Sequence, residues 1–172
     1  MVKPIINIED IALEPWRLGS SLPEEASERY NAKIGLVGPR IGAQRLGYNI
    51  TAVPSGKSAF PLHNHHVNEE MFFILQGHGE LRMGEQSYSI RSGDFIACPP
   101  GGKEMAHKLI NTGKDELRYL AVSTKISPEI VDYPDSGKFG VLEEPAIGPD
   151  GQPKRFVYIG RQSDSGDYWD GE

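Results

Sequence analysis

Between Leu46 and Thr124 the chain is cut into short apolar or alternating runs, each closed by a glycine- or proline-bearing turn. Leu46–Val53, Glu70–Gln76, Phe95–Cys98, Ala106–Asn111 and Leu117–Thr124 read as strands. Glu80–Met83 and Ser87–Ile90 alternate polar and apolar around a Gly84-Glu85 turn, which predicts a hairpin. Gly77-His78-Gly79 breaks or bulges the preceding strand. No long amphipathic helix interrupts the series. Many short strands with turn signals between them predict an all-β sandwich or barrel.

Within that series, the stretch Gly56–Gly77 carries His63, His65 and Glu70. Two histidines two residues apart point to the same face of a strand, and imidazole is a common metal ligand. Glu70 has the wrong parity for one unbroken strand with His65. A turn at His66-Val67-Asn68 resets that parity and returns Glu70 to the histidines. Met71–Leu75 then reads as a buried strand. A carboxylate at its head is costly unless a cation neutralises it. A second stretch follows: Gly93–Gly101 is a strand ending in a Pro/Gly turn, with His107 and Asn111 beyond it.

These two stretches resemble the two motifs of the cupin family. Gly56, His63, His65, Glu70 and Gly77 fill the first, with one extra residue between Gly56 and His63. Gly93, Pro99, Gly101, His107 and Asn111 fill the second, with a longer turn between Gly101 and His107. The resemblance covers roughly residues 45–125. It implies a double-stranded β-helix, the jelly-roll cupin barrel, and one divalent metal ion held by His63, His65, Glu70 and His107. Histidine nitrogen with one carboxylate oxygen suits Fe, Mn, Ni, Co or Zn. Three neutral imidazoles and one carboxylate around a divalent ion leave a charge of +1, which attracts an anionic ligand. The bland reading of the same residues is that they only hydrogen-bond to one another. Asn111 reads as structural, and Cys98 as a buried thiol near the site.

The rest of the chain divides around the barrel: an N-terminal extension over 1–44, the barrel over 45–125 and a C-terminal extension over 126–172. Ile5, Ile6, Ile8, Ile11, Leu13 and Trp16 are too apolar for a free tail and are expected on the barrel or on a second subunit. Pro23–Glu28 predicts one helical turn capped near Ser20 or Ser21, and Ile34–Val37 a short strand ended by Gly38-Pro39. Beyond Ile126 the composition shifts. Tyr133–Lys138 reads as a polar turn and Arg155–Ile159 as one more strand. Tyr168 and Trp169, set among acids, are expected to dock on the barrel. The Y-P-D-S-G-K and Y-W-D-G-E segments also resemble those of an uncharacterised group of bacterial cupins.

Charge and composition narrow the function. The formal net charge is -6 and no basic patch is interleaved with aromatics, so a nucleic-acid partner is not expected. No apolar run is long enough to span a membrane. The first ten residues are too short and acidic for a signal peptide, and the lone Cys98 fits a reducing compartment, the cytoplasm. Both faces of Glu70–Gln76 are apolar, with Met71, Phe73 and Leu75 opposite Glu70, Phe72 and Ile74. One face lines the barrel; the other needs a cover, from the N-terminal segment or a partner subunit, and the resemblance to cupins implies a homodimer. Tyr48, Phe72, Cys98 and Tyr119 are the candidate pocket walls for a small-molecule ligand. The resemblance admits a metal-dependent decarboxylase, dioxygenase or sugar isomerase acting on an anionic or sugar-like molecule. It equally admits a non-catalytic binding or sensor module, because a fold and a site frame do not set an activity.

Overall fold

The computed structural model describes residues 2–16, 23–143, 146–147, 153–154 and 156–172. Its strands in chain order are β1 (Glu14–Pro15), β2 (Lys33–Leu36), β3 (Leu46–Val53), β4 (Asn64–His65) and β5 (Glu70–Gln76). They continue with β6 (His78–Met83), β7 (Gln86–Arg91), β8 (Phe95–Cys98), β9 (His107–Ile110) and β10 (Leu117–Thr124). The last are β11 (Glu129–Tyr133), β12 (Lys138–Leu142), β13 (Ala146–Ile147), β14 (Pro153–Lys154) and β15 (Val157–Gly160). Among the described residues two α-helices, Glu24–Ser27 and Gly38–Ile41, are single turns. Among the described residues no helix is long and apolar enough to cross a membrane.

One wall of the molecule is an antiparallel sheet in the order β1-β2-β3-β10-β5-β8. Facing it are β7-β6-β9 and β15-β12-β11-β4. A bridge between His63 and His107 joins these two smaller sheets edge to edge. This is the two-walled arrangement of a double-stranded β-helix. Strand parity selects the interior face. Val53, Phe72, Ile74, Ile96, Leu117 and Tyr119 alternate inward and form one core with Leu81, Ile90 and Leu109 from the opposite wall. The chain passes from the first wall to the second after β5 at Gly77, whose φ of +85° lies in the left-handed region. An added Cβ there would meet the Glu116 carbonyl oxygen at 2.8 Å, so both conformation and space require glycine.

The strands expected between Leu46 and Thr124 form with boundaries within about two residues. The region after Ile126 differs. Tyr133–Lys138 is a turn, but it is the tip of a hairpin, with Tyr133 opposite Lys138 and Glu129 opposite Leu142. β11 also pairs with β4, Val131 opposite His65, so this hairpin is sheet and not an appendage. The tail does not share that packing: Tyr168 and Trp169 stand exposed, their rings edge to face at 4.8 Å. At the other end, Ile11, Ala12 and Leu13 lie against Gly35, and the Trp16 amide donates to the Ala32 carbonyl at 2.9 Å. Ile5 and Ile8 remain exposed. The helical turn at Glu24–Ser27 forms without a side-chain cap; Ser20 and Ser21 lie outside the described residues.

Candidate metal centre

His63 and His65 enter the site from the short crossing that begins the second wall, and their shared parity points both rings inward. His107 starts β9 beside them. His63 N donates to His107 O at 3.2 Å and His107 N to His63 O at 2.8 Å, which sets their ring centroids 4.7 Å apart. Glu70 opens β5 on the opposite wall, the residue at which the expected turn at 66–68 restores inward parity. The Nε2 atoms of all three histidines meet Glu70 Oε2: His107 at 2.9 Å, His65 at 3.3 Å and His63 at 3.7 Å. One ligand atom from each of the four lies within 4.8 Å of all the others.

Backbone carbonyls orient two of the rings. His63 Nδ1 lies 2.9 Å from Pro61 O, and His107 Nδ1 lies 3.2 Å from Met105 O. A carbonyl only accepts, so each Nδ1 donates to it, which turns each Nε2 toward Glu70 Oε2. Met105 belongs to the lengthened loop, where Lys103–Met105 forms a 3-10 turn. The extra residues of that loop therefore supply the carbonyl that orients His107. Gly101 anchors the same loop: its amide donates to His65 O at 2.9 Å and its carbonyl accepts from Asn64 Nδ2 at 2.8 Å.

His65 is held differently. Both its ring nitrogens are buried and lack a hydrogen bond. Nε2 looks to Glu70, and Nδ1 lies 3.6 Å from Glu129 Oε2. Burial disfavours its charged form, yet the facing carboxylates of Glu129 and Glu70 outweigh that and raise its pKa to about 9. Burial lowers His63 instead, against the pull of Glu70. Desolvation pulls the Glu70 carboxyl up, but its contacts to His107, His63 and His65 outweigh that and hold it well below the usual range. The donor set fits a divalent ion. Three imidazole nitrogens and a carboxylate oxygen converge, and the orphaned Nε2 of His65 is aimed at the same point. In the metal-free protein a proton on His65 meets part of that need.

The centre forms one end of a cavity of about 300 Å³. Phe72 and Tyr119, two of the four expected wall residues, line it. Tyr48 does not. It alternates with Asn49, which lines the cavity, so Tyr48 turns to the outer face of β3. Cys98 sits opposite Glu70 on β8 but is sealed in the core, outside the lining residues. Burial, and then the Glu70 charge, push its thiol up to about 12. Asn111 is structural: Nδ2 donates to the Val53 and Asp115 carbonyls at 2.8 Å each, and Oδ1 accepts from the Gly113 amide.

The remaining walls were not singled out from the sequence. Trp16 and Phe60 close one side with ring centroids 6.3 Å apart, and Tyr133 stacks on His63 at 6.3 Å. Val131 and Leu142 come from the β11–β12 hairpin. The I-V-D-Y and K-F-G-V-L runs flanking a glycine turn were the available hairpin signal. A smaller cavity of about 160 Å³ lies on the other side of His65 and Glu70, bounded by Asn68, Thr124 and Glu129.

Residues 49–123 match the family model of the cupin domain. Over 71 residues the chain is 34% identical to an uncharacterized protein of Methanocaldococcus jannaschii. That match takes in 41% of this chain and 54% of the relative, so the chain spans about half the length of the curated relative it matches. Among solved structures, a sugar phosphate isomerase of the cupin superfamily from Silicibacter pomeroyi aligns with a TM-score of 0.76 at 19% identity, over 97% of this chain and 98% of that one. A provisionally assigned sugar phosphate isomerase from Acidithiobacillus ferrooxidans aligns with a TM-score of 0.74 at 21% identity, over 96% of both chains. A predicted oxalate decarboxylase from Thermotoga maritima aligns with a TM-score of 0.55 at 20% identity, over 70% of this chain and 97% of its own. At these identities the structural likenesses show the fold alone.

Proposed function

We propose that residues 49–123, which match the cupin domain model, hold one divalent metal ion through His63, His65, Glu70 and His107, and that a small, oxygen-rich, sugar-like molecule binds on it. The observation that carries this reading is the convergence of three Nε2 atoms on Glu70 Oε2 at one end of a cavity with aromatic walls. When bound, the ion supplies Lewis-acid polarisation of ligand oxygens. The chain's own residues do the rest. Pro61 and Met105 carbonyls hold two rings with Nε2 forward. Trp16, Phe60 and Tyr133 offer flat faces to the carbon side of a sugar-like ligand, and Asn49 a hydrogen-bonding amide.

A divalent ion with Glu70 alone leaves +1. Glu129 behind His65 removes one positive charge and Lys108 on the cavity wall restores it, so the site still draws an anionic group. Vicinal oxygens chelate the ion without needing that pull, and the aromatic walls suit a carbon ring, which together favour a sugar or a sugar derivative. The names of the two neighbours that align over nearly their whole length agree with that ligand class.

A second reading, binding without turnover, is favoured by the composition of the cavity. Beyond the four proposed ligands, its polar side chains among the described residues are Asn49, Lys108, Tyr119 and Tyr133, and it has no further carboxylate or imidazole. Tyr119 is buried and its phenol is pushed above its ordinary range, which makes it a poor proton donor or base at neutral pH.

We also infer a homodimer. On the outer face of β5 and β8, Met71, Phe73 and Leu75 are only half-buried, and the Phe73 ring packs at 4.4 Å on Phe95, which is 74% exposed. The test of the ligand reading is calorimetric titration of metal-loaded protein with sugars, sugar phosphates and small dicarboxylates, with proton NMR to follow turnover. Binding of the carbohydrate class is expected. Binding of dicarboxylates alone would overturn it, and a new set of product resonances would settle enzyme against binding module.

A further inference from the structure

The position of Glu129 has no counterpart in either motif, and it lies outside residues 49–123. It opens β11 and is 5% exposed, a carboxylate buried among donors. Oε1 accepts from the backbone amides of His66 and Val67 at 3.1 Å each. Oε2 accepts from the Asn68 amide at 2.8 Å and also from Asn68 Nδ2. These donors make up the turn that resets parity between His65 and Glu70. The same Oε2 faces His65 Nδ1 at 3.6 Å, beyond a hydrogen bond but within reach of a small ring rotation. His65 is the one histidine of the centre whose Nδ1 has no backbone carbonyl partner; His63 has Pro61 and His107 has Met105.

We propose that Glu129 is the positioning residue of the metal centre: its carboxylate holds the His66–Asn68 turn and, acting on Nδ1, keeps Nε2 of His65 turned toward Glu70. A carboxylate suits both tasks because it only accepts. Each oxygen already meets N–H donors, and a protonated Nδ1 adds one more. Without it His65 is free to turn or to offer Nδ1 in place of Nε2. The hairpin beyond the cupin match is then part of the centre and not an accessory to it. This inference rests on the reading of His63, His65, Glu70 and His107 as the ligand set.

The test is Co²⁺ binding by the full chain, followed through affinity and visible absorption, for wild type, Glu129→Gln, Asn68→Ala and Glu70→Gln. Asn68→Ala loosens the same turn yet leaves the carboxylate beside His65, so it measures the purely structural effect. Expected are a loss of about 10- to 100-fold in affinity with altered bands for Glu129→Gln, and near-wild-type affinity and bands for Asn68→Ala despite a lowered melting temperature. Equal losses in Glu129→Gln and Asn68→Ala, or wild-type behaviour of Glu129→Gln, would overturn the proposal. If Glu129→Gln does not fold, long-range ¹H–¹⁵N NMR of Zn²⁺-loaded wild type decides. A protonated Nδ1 and metal-bound Nε2 on His65 support the positioning role, and the reverse overturns it. Failure of wild type to bind Co²⁺, or full binding by Glu70→Gln, removes the ligand set and this inference with it. Loss of binding in Glu70→Gln with none in Glu129→Gln removes this inference alone.

Discussion

His63 and His107 lie 44 positions apart in sequence, yet each donates its backbone amide to the other's carbonyl, at 3.2 and 2.8 Å. That pair joins the two smaller sheets of the second wall. The candidate metal centre is therefore built on a structural seam. Two of its rings are placed by sheet hydrogen bonds before any ion arrives, which limits the reorganisation that binding requires.

Removal of single ligands is expected to empty the centre. Elemental mass spectrometry of protein purified without a chelating tag should find about one divalent ion per wild-type chain and a small fraction of that in Glu70→Gln and His107→Ala. Unchanged metal content in both variants would rule out the ligand assignment.

Metal binding should release a proton. Glu70 is ionised across the neutral range because its histidine contacts lower its carboxyl, and burial keeps His63 neutral there. His65, raised to about 9 by Glu129 and Glu70 against its burial, still carries its proton at pH 7.5 and must lose it to bind through Nε2. Calorimetry at pH 7.5 in buffers of different ionisation enthalpy should therefore report net proton release, at least about one proton per ion. Affinity should rise with pH until about 9 and then level off. Heats independent of buffer would contradict this picture. The sign for stability is opposite. His65 gains affinity for its proton on folding, so its contribution to the metal-free protein is complete below its unfolded value of about 6.5. That contribution is lost as pH rises through about 9.

Cys98 should be inert in the folded protein. It is 1% exposed, and burial beside Glu70 pushes its thiol up to about 12. A disulfide reagent at pH 8 is expected to label it at the rate of global opening, and at least about 100-fold faster in denaturant. Rapid labelling under native conditions would place Cys98 on an accessible wall.

The outer face of β5 and β8 predicts self-association. Phe95→Asp introduces a charge beside Phe73 without touching the interior face of either strand. Sedimentation at micromolar concentration should show a dimer for wild type and a monomer for Phe95→Asp, with metal content unchanged. A wild-type monomer would show that the chain leaves this face to solvent.

Much of the centre was legible in the chain because its geometry is local. The parity of His63 and His65, the turn that returns Glu70 and the start of β9 at His107 follow from the two-residue period of a strand and from glycine and proline at its ends. The core followed for the same reason, since Phe72, Ile74 and Leu117 alternate with outward residues. Tyr48 and Cys98 were harder. Tyr48 shares its face with Leu46, Ile50 and Ala52, the more apolar side of β3, while the cavity side carries Asn49 and Thr51, so hydrophobicity points to the wrong face. Cys98 has the inward parity but is roofed by neighbours that only packing supplies.

The sequence by itself determined the strand series, the turn positions and the placing of His63, His65 and Glu70 on one side; that His107 joins them was implied by the cupin resemblance and is made by its bridge to His63. Tertiary structure alone decided what surrounds them. Glu129 reaches the 66–68 turn across more than 60 residues, Trp16 arrives from the N-terminal segment, and Val131, Tyr133 and Leu142 arrive on a hairpin that pairs with β4. Such contacts depend on which sheet edges remain open once the two walls have packed on their core. That is a property of the assembled backbone and not of any window of residues.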